Sequence, residues 1–530
     1  MTKVELYDTT LRDGAQGEGV SFSVNDKLKI CEELDLLGVH FIEGGWPGAN
    51  PKDIEFFKKA RLLNLKNSKL VAFGSTRHAA SSAANDKVLN GLISAQTEYV
   101  TIFGKSWDLH VREVLRVDLD ENVKMIAESI KFLKSKGKIV IYDAEHFFDG
   151  YNENKTYALK TIKAASAAGA YRIVLCDTNG GTITSRLFEI IEEVKSVIKT
   201  PLGIHTHNDS DMAVANSIAA VQAGCVQVHG TINGYGERCG NANMVSIIAN
   251  LKLKLGVDCV SGLSLKELTE VARFVAEVSN MKLPDNQPFV GNSAFAHKAG
   301  VHVNAILKNS RTYEHVEPHS VGNRRRLLIS ELSGKSTILK KAEELDLDLG
   351  KDGQKSKKIL KVLQDLEHKG YHFESAEASL ELLIKRVMKK FKNFFNLEDF
   401  RVIIEKRRGG KMSSEATIKL KVGKELEHTA SLGDGPINAL DSALRKALIK
   451  FYPNIAQMHL IDYKVRVLDE KEGTAAKVRV VIQSQDKDDS WWTMGVSENI
   501  IDASWQALVD SVEYKLLKDL KKEQIYEKNI

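Results

Sequence analysis

Short apolar runs alternate with amphipathic stretches along the first half of the chain. The runs predict eight strands, at 4–8, 39–43, 70–73, 99–103, 139–143, 172–176, 202–205 and 226–232. The stretches between them, such as 25–37 and 185–199, have the apolar spacing of helices that bury one face. Eight strands alternating with helices over about 250 residues predict an α/β fold, the (β/α)8 TIM barrel. A doubly wound open sheet is the alternative, but residues 9–13 lack the glycine-rich turn expected after its first strand.

Two further regions are predicted after the barrel. We assign the barrel to residues 1–265, mostly helical linker subdomains to 266–395 and an α+β domain to 396–530. The last region contains an internal repeat, because His428-Thr429 and the helix after it match Trp492-Thr493 and its helix at a constant offset of 64 residues. Two such units are expected to pack as one pseudo-symmetric domain. Chance similarity between two short amphipathic helices is the alternative.

Composition and charge narrow the class of protein. The chain of 530 residues is 43% hydrophobic and 27% charged, which excludes a disordered or collagen-like protein. Its net charge of +5 is too small over this length to indicate a nucleic-acid partner. No run of about 18 apolar residues occurs and residues 3–9 alternate like a strand, so we expect neither a membrane span nor a signal peptide. The five scattered cysteines form no C-x-x-C pair and indicate reduced thiols in a cytoplasmic protein.

Polar and ionisable residues collect where the predicted barrel strands end, which is where TIM barrels carry their active sites. They are Arg12, Asp13, Glu43, Glu145, His146, Asp177, Thr178, His205, His207 and Asn233. The histidines of His205-Thr206-His207 point to the same face of an extended strand. With Asp13 they form a candidate divalent-metal site that leaves positions open for substrate. A chance H-x-H pair is the alternative.

Several segments, taken together, resemble the family of α-isopropylmalate, homocitrate and citramalate synthases. They are Asp8–Gly14, His205–Asp209, Gly234–Asn241 and Ala299–His302, and the tail Gly433–Ala439 resembles the family's regulatory domain. Within the family, the stretch Ile42–Asp53 looks most like the citramalate-forming members. The isopropylmalate-forming members usually carry a different stretch after the second strand.

This resemblance implies an acyltransferase that condenses acetyl-CoA with pyruvate and water to give citramalate and CoA, in isoleucine biosynthesis. It implies one divalent metal ion (Zn, Mn, Mg or Co), acetyl-CoA as co-substrate, and a homodimer. The alternative is condensation with 2-oxoisovalerate, as in leucine biosynthesis. A carbon–carbon lyase of the hydroxymethylglutaryl-CoA lyase type is less favoured, because those enzymes generally lack the long C-terminal repeat domain.

The resemblance also assigns roles to individual residues. Asp13, His205 and His207 would be the metal ligands, with Asn241 as a fourth or water-bridged partner. Arg12 would lie by the keto oxygen of pyruvate and Thr178 by its carboxylate.

Other roles complete this set. His302 would be the base that acts on acetyl-CoA, delivered by the neighbouring chain and supported by Tyr313 and Glu145. Phe73 and Phe103, by their strand positions, are expected to line the pocket for the keto-acid side chain. The C-terminal domain is expected to bind isoleucine as the feedback effector.

Overall fold

The computed structural model describes residues 3–328, 354–391, 393–406, 412–468 and 476–528, together with positions 340, 343 and 410. The chain divides into two compact units. The first comprises Met1–Phe295 with Glu314–Arg325, and the second comprises Ala296–Tyr313 with Arg326–Ile530. Among the described residues, no helix is long and apolar enough to cross a membrane.

The first unit is built on a closed barrel of eight parallel strands. The strands are β1 Glu5–Asp8, β2 Phe41–Gly45, β3 Lys69–Ser75, β4 Tyr99–Lys105, β5 Ile139–Glu145, β6 Arg172–Asp177, β7 Leu202–Thr206 and β8 Gln227–Gly230. The predicted TIM barrel is therefore confirmed, and every predicted strand overlaps an observed one. The eighth strand is shorter than predicted, because Thr231 leaves the barrel to pair with the loop at Asn243.

Helices surround the barrel. They are α1 Val24–Leu37, α2 Pro51–Ala60, α3 Lys87–Ser94, α4 Leu119–Ser135, α5 Phe147–Ala168, α6 Thr184–Val197, α7 Ala213–Gln222, α8 Met244–Leu253 and α9 Leu268–Val278. Helix α1 shows why these segments begin and end where they do. Ser23 and Asp26 form a capping box at its start, and Gly38 ends it in the left-handed region with φ of 86°.

The second unit begins with short elements. Strand β9 (Ala296–His297) pairs in parallel with β10 (Arg326–Leu327), and helix α10 spans Gly300–Lys308. Helices α11 (Gln354–His368) and α12 (Glu377–Val387) share a small apolar core. Because the two units interleave between 296 and 325, the domain boundaries assigned from the sequence stay a prediction.

The C-terminal region contains two similar halves. In the first, antiparallel strands β11 (Asn396–Lys406), β12 (Met412–Val422) and β13 (Glu425–Gly433) precede helix α13 (Pro436–Leu448). In the second, β14 (His459–Val467), β15 (Val478–Gln485) and β16 (Ser490–Ser497) precede α14 (Ile500–Lys528).

One hydrogen bond recurs in both halves. The Thr429 hydroxyl donates to the Ala443 carbonyl at 2.9 Å, and the Thr493 hydroxyl donates to the Ala507 carbonyl at 2.8 Å. Both pairs join the third strand of a sheet to the helix that follows it, at equivalent positions of the repeat. The predicted internal duplication is confirmed.

Candidate active site

Three candidate metal ligands meet at the mouth of the barrel. Asp13 follows β1, His205 lies in β7 and His207 comes directly after it. All three side chains are buried, and their ligand atoms lie within 4.8 Å of one another. His205 Nε2 is 3.3 Å from both Asp13 Oδ2 and His207 Nε2. Two imidazole nitrogens and one carboxylate oxygen suit a divalent transition metal, so this cluster fits the implied cation.

Asn241 joins this cluster from the loop after β8. Its Nδ2 lies 3.0 Å from Asp13 Oδ2 and 3.3 Å from His205 Nε2. An isolated bridge to His207 fixes the Asn241 backbone, and Gly236 makes room for its side chain. A Cβ at Gly236, whose φ is +157°, would lie 1.9 Å from Asn241 Oδ1. That oxygen is buried and has no hydrogen-bond partner among the described residues, which fits an amide able to serve a cation.

Arg12 places a positive charge beside the cluster. Its Nη1 lies 3.1 Å from Asp13 Oδ1, and its Nε donates to Glu43 Oε1 at 2.6 Å. Burial alone would raise the pKa of Asp13, but the charge of Arg12 and the hydrogen bond with His205 hold that pKa well below its usual value. Burial and the neighbouring His205 lower the pKa of His207 to about 3. These shifts favour an ionised Asp13 and a neutral His207, as metal ligation requires. Burial lowers the pKa of His205, but the hydrogen bond and the charge of Asp13 outweigh burial and raise it.

The barrel interior behind Arg12 holds polar side chains that the sequence prediction left without a role. The Tyr7 hydroxyl donates to Glu43 Oε2 at 2.5 Å, and its ring stacks on His229 with centroids 3.8 Å apart. Burial and the charge of Glu43 raise the pKa of Tyr7 well above its usual value, so Tyr7 stays a neutral donor. Burial likewise raises the pKa of Asp143 to about 7. Their signal in the sequence is a polar or ionisable residue at an inward position of an otherwise apolar strand.

Three aromatic rings form a box beside Arg12. Phe73 and Phe103 stack with centroids 5.5 Å apart, and Trp46 meets them edge-on at 5.8 and 5.7 Å. The Arg12 Cζ atom lies 3.8 Å from the centre of the Phe73 ring. The structure therefore places Phe73 against Arg12 and Phe103 against Phe73, close to the candidate metal ligands. Their role in binding substrate stays a prediction. The sequence prediction missed Trp46.

Thr178 and Glu145 lie at the ends of neighbouring strands in the same barrel. The Thr178 hydroxyl accepts a hydrogen bond from the His146 backbone N–H at 2.9 Å. The Thr178 carbonyl accepts one from Arg238 Nη2 at 2.7 Å. Glu145 forms an ion pair with Lys105. These contacts fix both side chains near the carboxyl ends of β5 and β6.

His302 and Tyr313 belong to the second compact unit. His302 lies on α10, and its ring stacks on that of Tyr313 with centroids 4.1 Å apart. Both side chains are exposed. The predicted base and its predicted supporting tyrosine are thus neighbours of each other, and their catalytic roles stay a prediction.

Comparison with known proteins places the chain in a family. The family profile described as HMGL-like matches residues 3–275, the homocitrate synthase post-HMGL domain-like profile matches 289–370, and the LeuA allosteric (dimerisation) domain profile matches 374–516. The (R)-citramalate synthase of Aquifex aeolicus (strain VF5) is 56% identical over 519 residues, which cover 98% of this chain and 98% of the relative. The (R)-citramalate synthase of Geobacter sulfurreducens is also 56% identical over 519 residues, with the same coverage.

The chain belongs to the (R)-citramalate synthase family. A 2-isopropylmalate synthase of Methanocaldococcus jannaschii is 31% identical over 520 residues, covering 97% of this chain and 95% of the relative. That relative is more distant than the two (R)-citramalate synthases, so the family resemblance seen in the sequence is confirmed.

Proposed function

We propose that this chain condenses acetyl-CoA with pyruvate and water to give (R)-citramalate and CoA. The observation that carries the proposal is the cluster of Asp13, His205 and His207 beside Arg12 at the mouth of the barrel. The chain's membership of the (R)-citramalate synthase family supports the same reaction. A keto acid presents two oxygens suited to a divalent cation at such a cluster, and a bound cation polarises the ketone as a Lewis acid. The five free cysteines agree with action in the cytoplasm.

The side chains around the cluster would orient pyruvate and stabilise the developing charge. Arg12, held between Asp13 and Glu43, supplies a fixed positive charge where the ketone oxygen becomes an alkoxide. Thr178, oriented by its bond from the His146 backbone, would donate to the substrate carboxylate. The methyl group of pyruvate would face the ring of Phe73, against which Arg12 already packs.

A direct test is product formation with pyruvate and acetyl-CoA. Purified protein is expected to release CoA and to form (R)-citramalate, identified by chiral chromatography. The His205→Ala variant is expected to lose bound metal and turnover together, because one of three ligands is gone. His319→Ala is the matched control, since His319 is exposed on the short turn Pro318–Val321. Turnover by His205→Ala at the wild-type rate would contradict the proposal.

We infer that His302 removes the proton from the methyl group of acetyl-CoA, with Tyr313 and Glu145 in support, and that a second copy of the chain delivers it. The thioester methyl group is weakly acidic, so a base with a pKa near neutrality must lie close to it. An imidazole on a solvent-exposed helix face, stacked against a tyrosine, supports this role. The proposal makes the homodimer obligatory for turnover.

Mixing two inactive variants tests the cross-chain proposal. Asp13→Asn lacks a metal ligand and His302→Ala lacks the base, so neither homodimer should turn over. Random exchange of subunits makes half of the dimers mixed, and each mixed dimer has one intact site out of two, so recovery of about a quarter of wild-type activity is expected. Absence of recovery in a mixture whose subunits have demonstrably exchanged would show that the base acts within its own chain.

We further infer that the C-terminal domain binds isoleucine in a cavity beside α13. The cavity has a volume of about 580 Å³, within the range of small-molecule pockets. Its apolar lining includes Ile437, Met458 and Leu460. Arg445 Nε and Asp441 Oδ2 pair at 2.8 Å on its wall, and Asp441 Oδ1 is buried without a hydrogen-bond partner among the described residues. A guanidinium, a carboxylate and an apolar wall match the three parts of a branched-chain amino acid.

Calorimetric titration with isoleucine, leucine and valine tests this assignment. Wild-type protein is expected to bind isoleucine most tightly and to be inhibited by it. Asp441→Asn is expected to weaken binding, because a carboxylate that meets the ligand ammonium is lost. Asp399→Asn, at an exposed position of β11 in the same domain, is the control. Equal isoleucine inhibition of Asp441→Asn and wild type would contradict the placement of the site.

A further inference from the structure

The turn after β2 is pressed against the start of α2. A Cβ at Gly44 would lie 2.2 Å from the Phe56 ring, and one at Gly45, whose φ is +144°, would lie 2.4 Å from Asp53 Cγ. The two glycines therefore let Asp53 and Phe56 approach the end of the strand directly. Trp46 is the next residue, so its backbone leaves the barrel against the first turn of α2.

A buried ion pair fixes this turn. Asp53 Oδ2 accepts the Trp46 backbone N–H at 2.9 Å, and Asp53 Oδ1 accepts from Lys27 Nζ at 2.6 Å. Lys27 is 3% exposed and also donates to the Gly44 carbonyl at 2.9 Å. A buried ion pair is a costly way to gain stability, and it persists when further hydrogen bonds satisfy both charges. Here those further bonds all go to the backbone around Trp46.

The indole of Trp46 completes a box of three rings. It meets Phe73 and Phe103 edge-on, with interplanar angles of 86° and 83°. Phe73 in turn lies under the guanidinium of Arg12, which Glu43 holds from the same strand, β2, that leads into Trp46. The position of Trp46, the third ring of the box, is therefore set by the glycine turn after β2 and by the Lys27–Asp53 ion pair, both outside the metal cluster.

We propose that Trp46, held in place by the Lys27–Asp53 pair, is a specificity-determining residue that restricts the keto-acid side chain to a methyl group. This inference rests on the proposed function, because it assumes that the keto acid lies beside Arg12. Trp46 contacts the substrate side chain, whereas Lys27 and Asp53 are positioning residues that act through it. Replacing the indole by a smaller side chain removes one of three rings in mutual contact, and the space that opens next to Phe73 would admit an added methylene.

The test compares kcat/KM for pyruvate, 2-oxobutyrate and 2-oxoisovalerate in Trp46→Leu and Trp46→Phe. Because one methylene in an apolar pocket changes kcat/KM by about 10- to 200-fold, the ratio of 2-oxobutyrate to pyruvate is expected to rise at least about 10-fold in Trp46→Leu and less in Trp46→Phe. Trp492→Leu is the matched control, since Trp492 is also half-buried but lies in the sheet of the C-terminal domain. Its ratio is expected to equal that of wild type.

The ion pair is tested by Lys27→Met combined with Asp53→Asn, which removes both charges and leaves neither one stranded. The same relaxed preference, with unchanged bound metal, is expected because Trp46 loses its anchor. If thermal stability falls but the ratio of kcat/KM for 2-oxobutyrate to that for pyruvate stays at the wild-type value, the Lys27–Asp53 pair stabilises the fold only and does not position Trp46 for specificity.

The outcomes for Trp46 separate the inference from the function beneath it. A wild-type protein that prefers pyruvate, with folded Trp46→Leu and Trp46→Phe variants that keep its ratio, would overturn the inference alone. A wild-type protein that prefers 2-oxoisovalerate, or releases CoA with none of the keto acids, would overturn the proposed function first.

Discussion

Glu43→Gln is expected to slow turnover while leaving the metal cluster intact. The Glu43 carboxylate accepts hydrogen bonds from Arg12 Nε at 2.6 Å and from the Tyr7 hydroxyl at 2.5 Å. Glutamine keeps the shape of glutamate, but its amide carries no charge to hold the guanidinium. Arg12 would keep only Asp13, 3.1 Å away, as an ion-pair partner. Its charge would then be drawn toward Asp13 and away from the position proposed for the developing alkoxide.

The size of the effect follows from the contacts that are lost. A hydrogen bond to a charged group contributes about 1.5–3 kcal/mol to stability. Arg12 keeps its ion pair with Asp13 in this variant. The fall in the free energy of unfolding is therefore expected to stay below the about 3–5 kcal/mol that a buried charge without any partner costs. Displacing Arg12 is expected to act like the loss of one fixed donor to the developing oxyanion, which lowers kcat by about 100-fold or more, equivalent to at least about 2.7 kcal/mol.

Three measurements on the Glu43→Gln variant check this reasoning. CoA release at saturating pyruvate gives kcat, elemental analysis gives bound metal, and thermal unfolding gives stability. Glu121→Gln is the matched control, because Glu121 also pairs with a buried arginine, Arg77, at 2.7 Å, but on the outside of the barrel. Wild-type kcat in Glu43→Gln would contradict the role of Glu43 in holding Arg12, and so would a loss of metal that accounts for the whole fall in kcat.

Three further predictions concern the repeat domain and the metal. Thr429→Val and Thr493→Val should each lower stability by about 1 kcal/mol in thermal unfolding, since each removes the equivalent strand-to-helix hydrogen bond, and a neutral result for one alone would contradict their equivalence. Burial raises the pKa of Glu513 to about 7, despite the charge of Arg386, from a usual value of 4.5. The native state therefore binds this proton more tightly than the unfolded state, so stability should fall as pH rises from about 4.5 to about 7, and Glu513→Gln should flatten that slope in denaturant unfolding. Chelation of bound metal should abolish CoA release, and a divalent cation should restore it, whereas full activity of protein shown to be metal-free would contradict the assigned cluster.

The sequence predicts the barrel and the metal cluster because both depend on local periodicity. Eight apolar runs at regular spacing are typical of one architecture, and His205 and His207 share a strand face whatever the rest of the chain does. Asp13 could be added because all strand ends of a parallel barrel meet at one mouth. The repeat was predicted for the same kind of reason, since a constant offset is visible without any tertiary contact.

The contacts between strands could not be predicted in the same way. The bond from Tyr7 to Glu43 depends on the register of β1 against β2, where Tyr7 lies opposite Phe41. The position of Trp46 depends on Gly44 and Gly45 and on the ion pair between Asp53 and Lys27 of helix α1. Neither register nor an ion pair across 26 residues leaves a periodic signal in a single sequence. The segment 314–325 likewise packs with the first unit for reasons of tertiary structure alone.

The most direct test of the central claim is kcat/KM for CoA release with pyruvate, 2-oxobutyrate, 2-oxoisovalerate and 2-oxoglutarate, measured on the wild-type protein with its metal. Pyruvate is expected to be preferred over 2-oxoisovalerate by at least about 10-fold, because three rings in mutual contact bound the proposed keto-acid pocket beside Arg12. A clear preference for 2-oxoisovalerate would contradict it and would assign the chain to the chemistry of its more distant isopropylmalate-forming relatives.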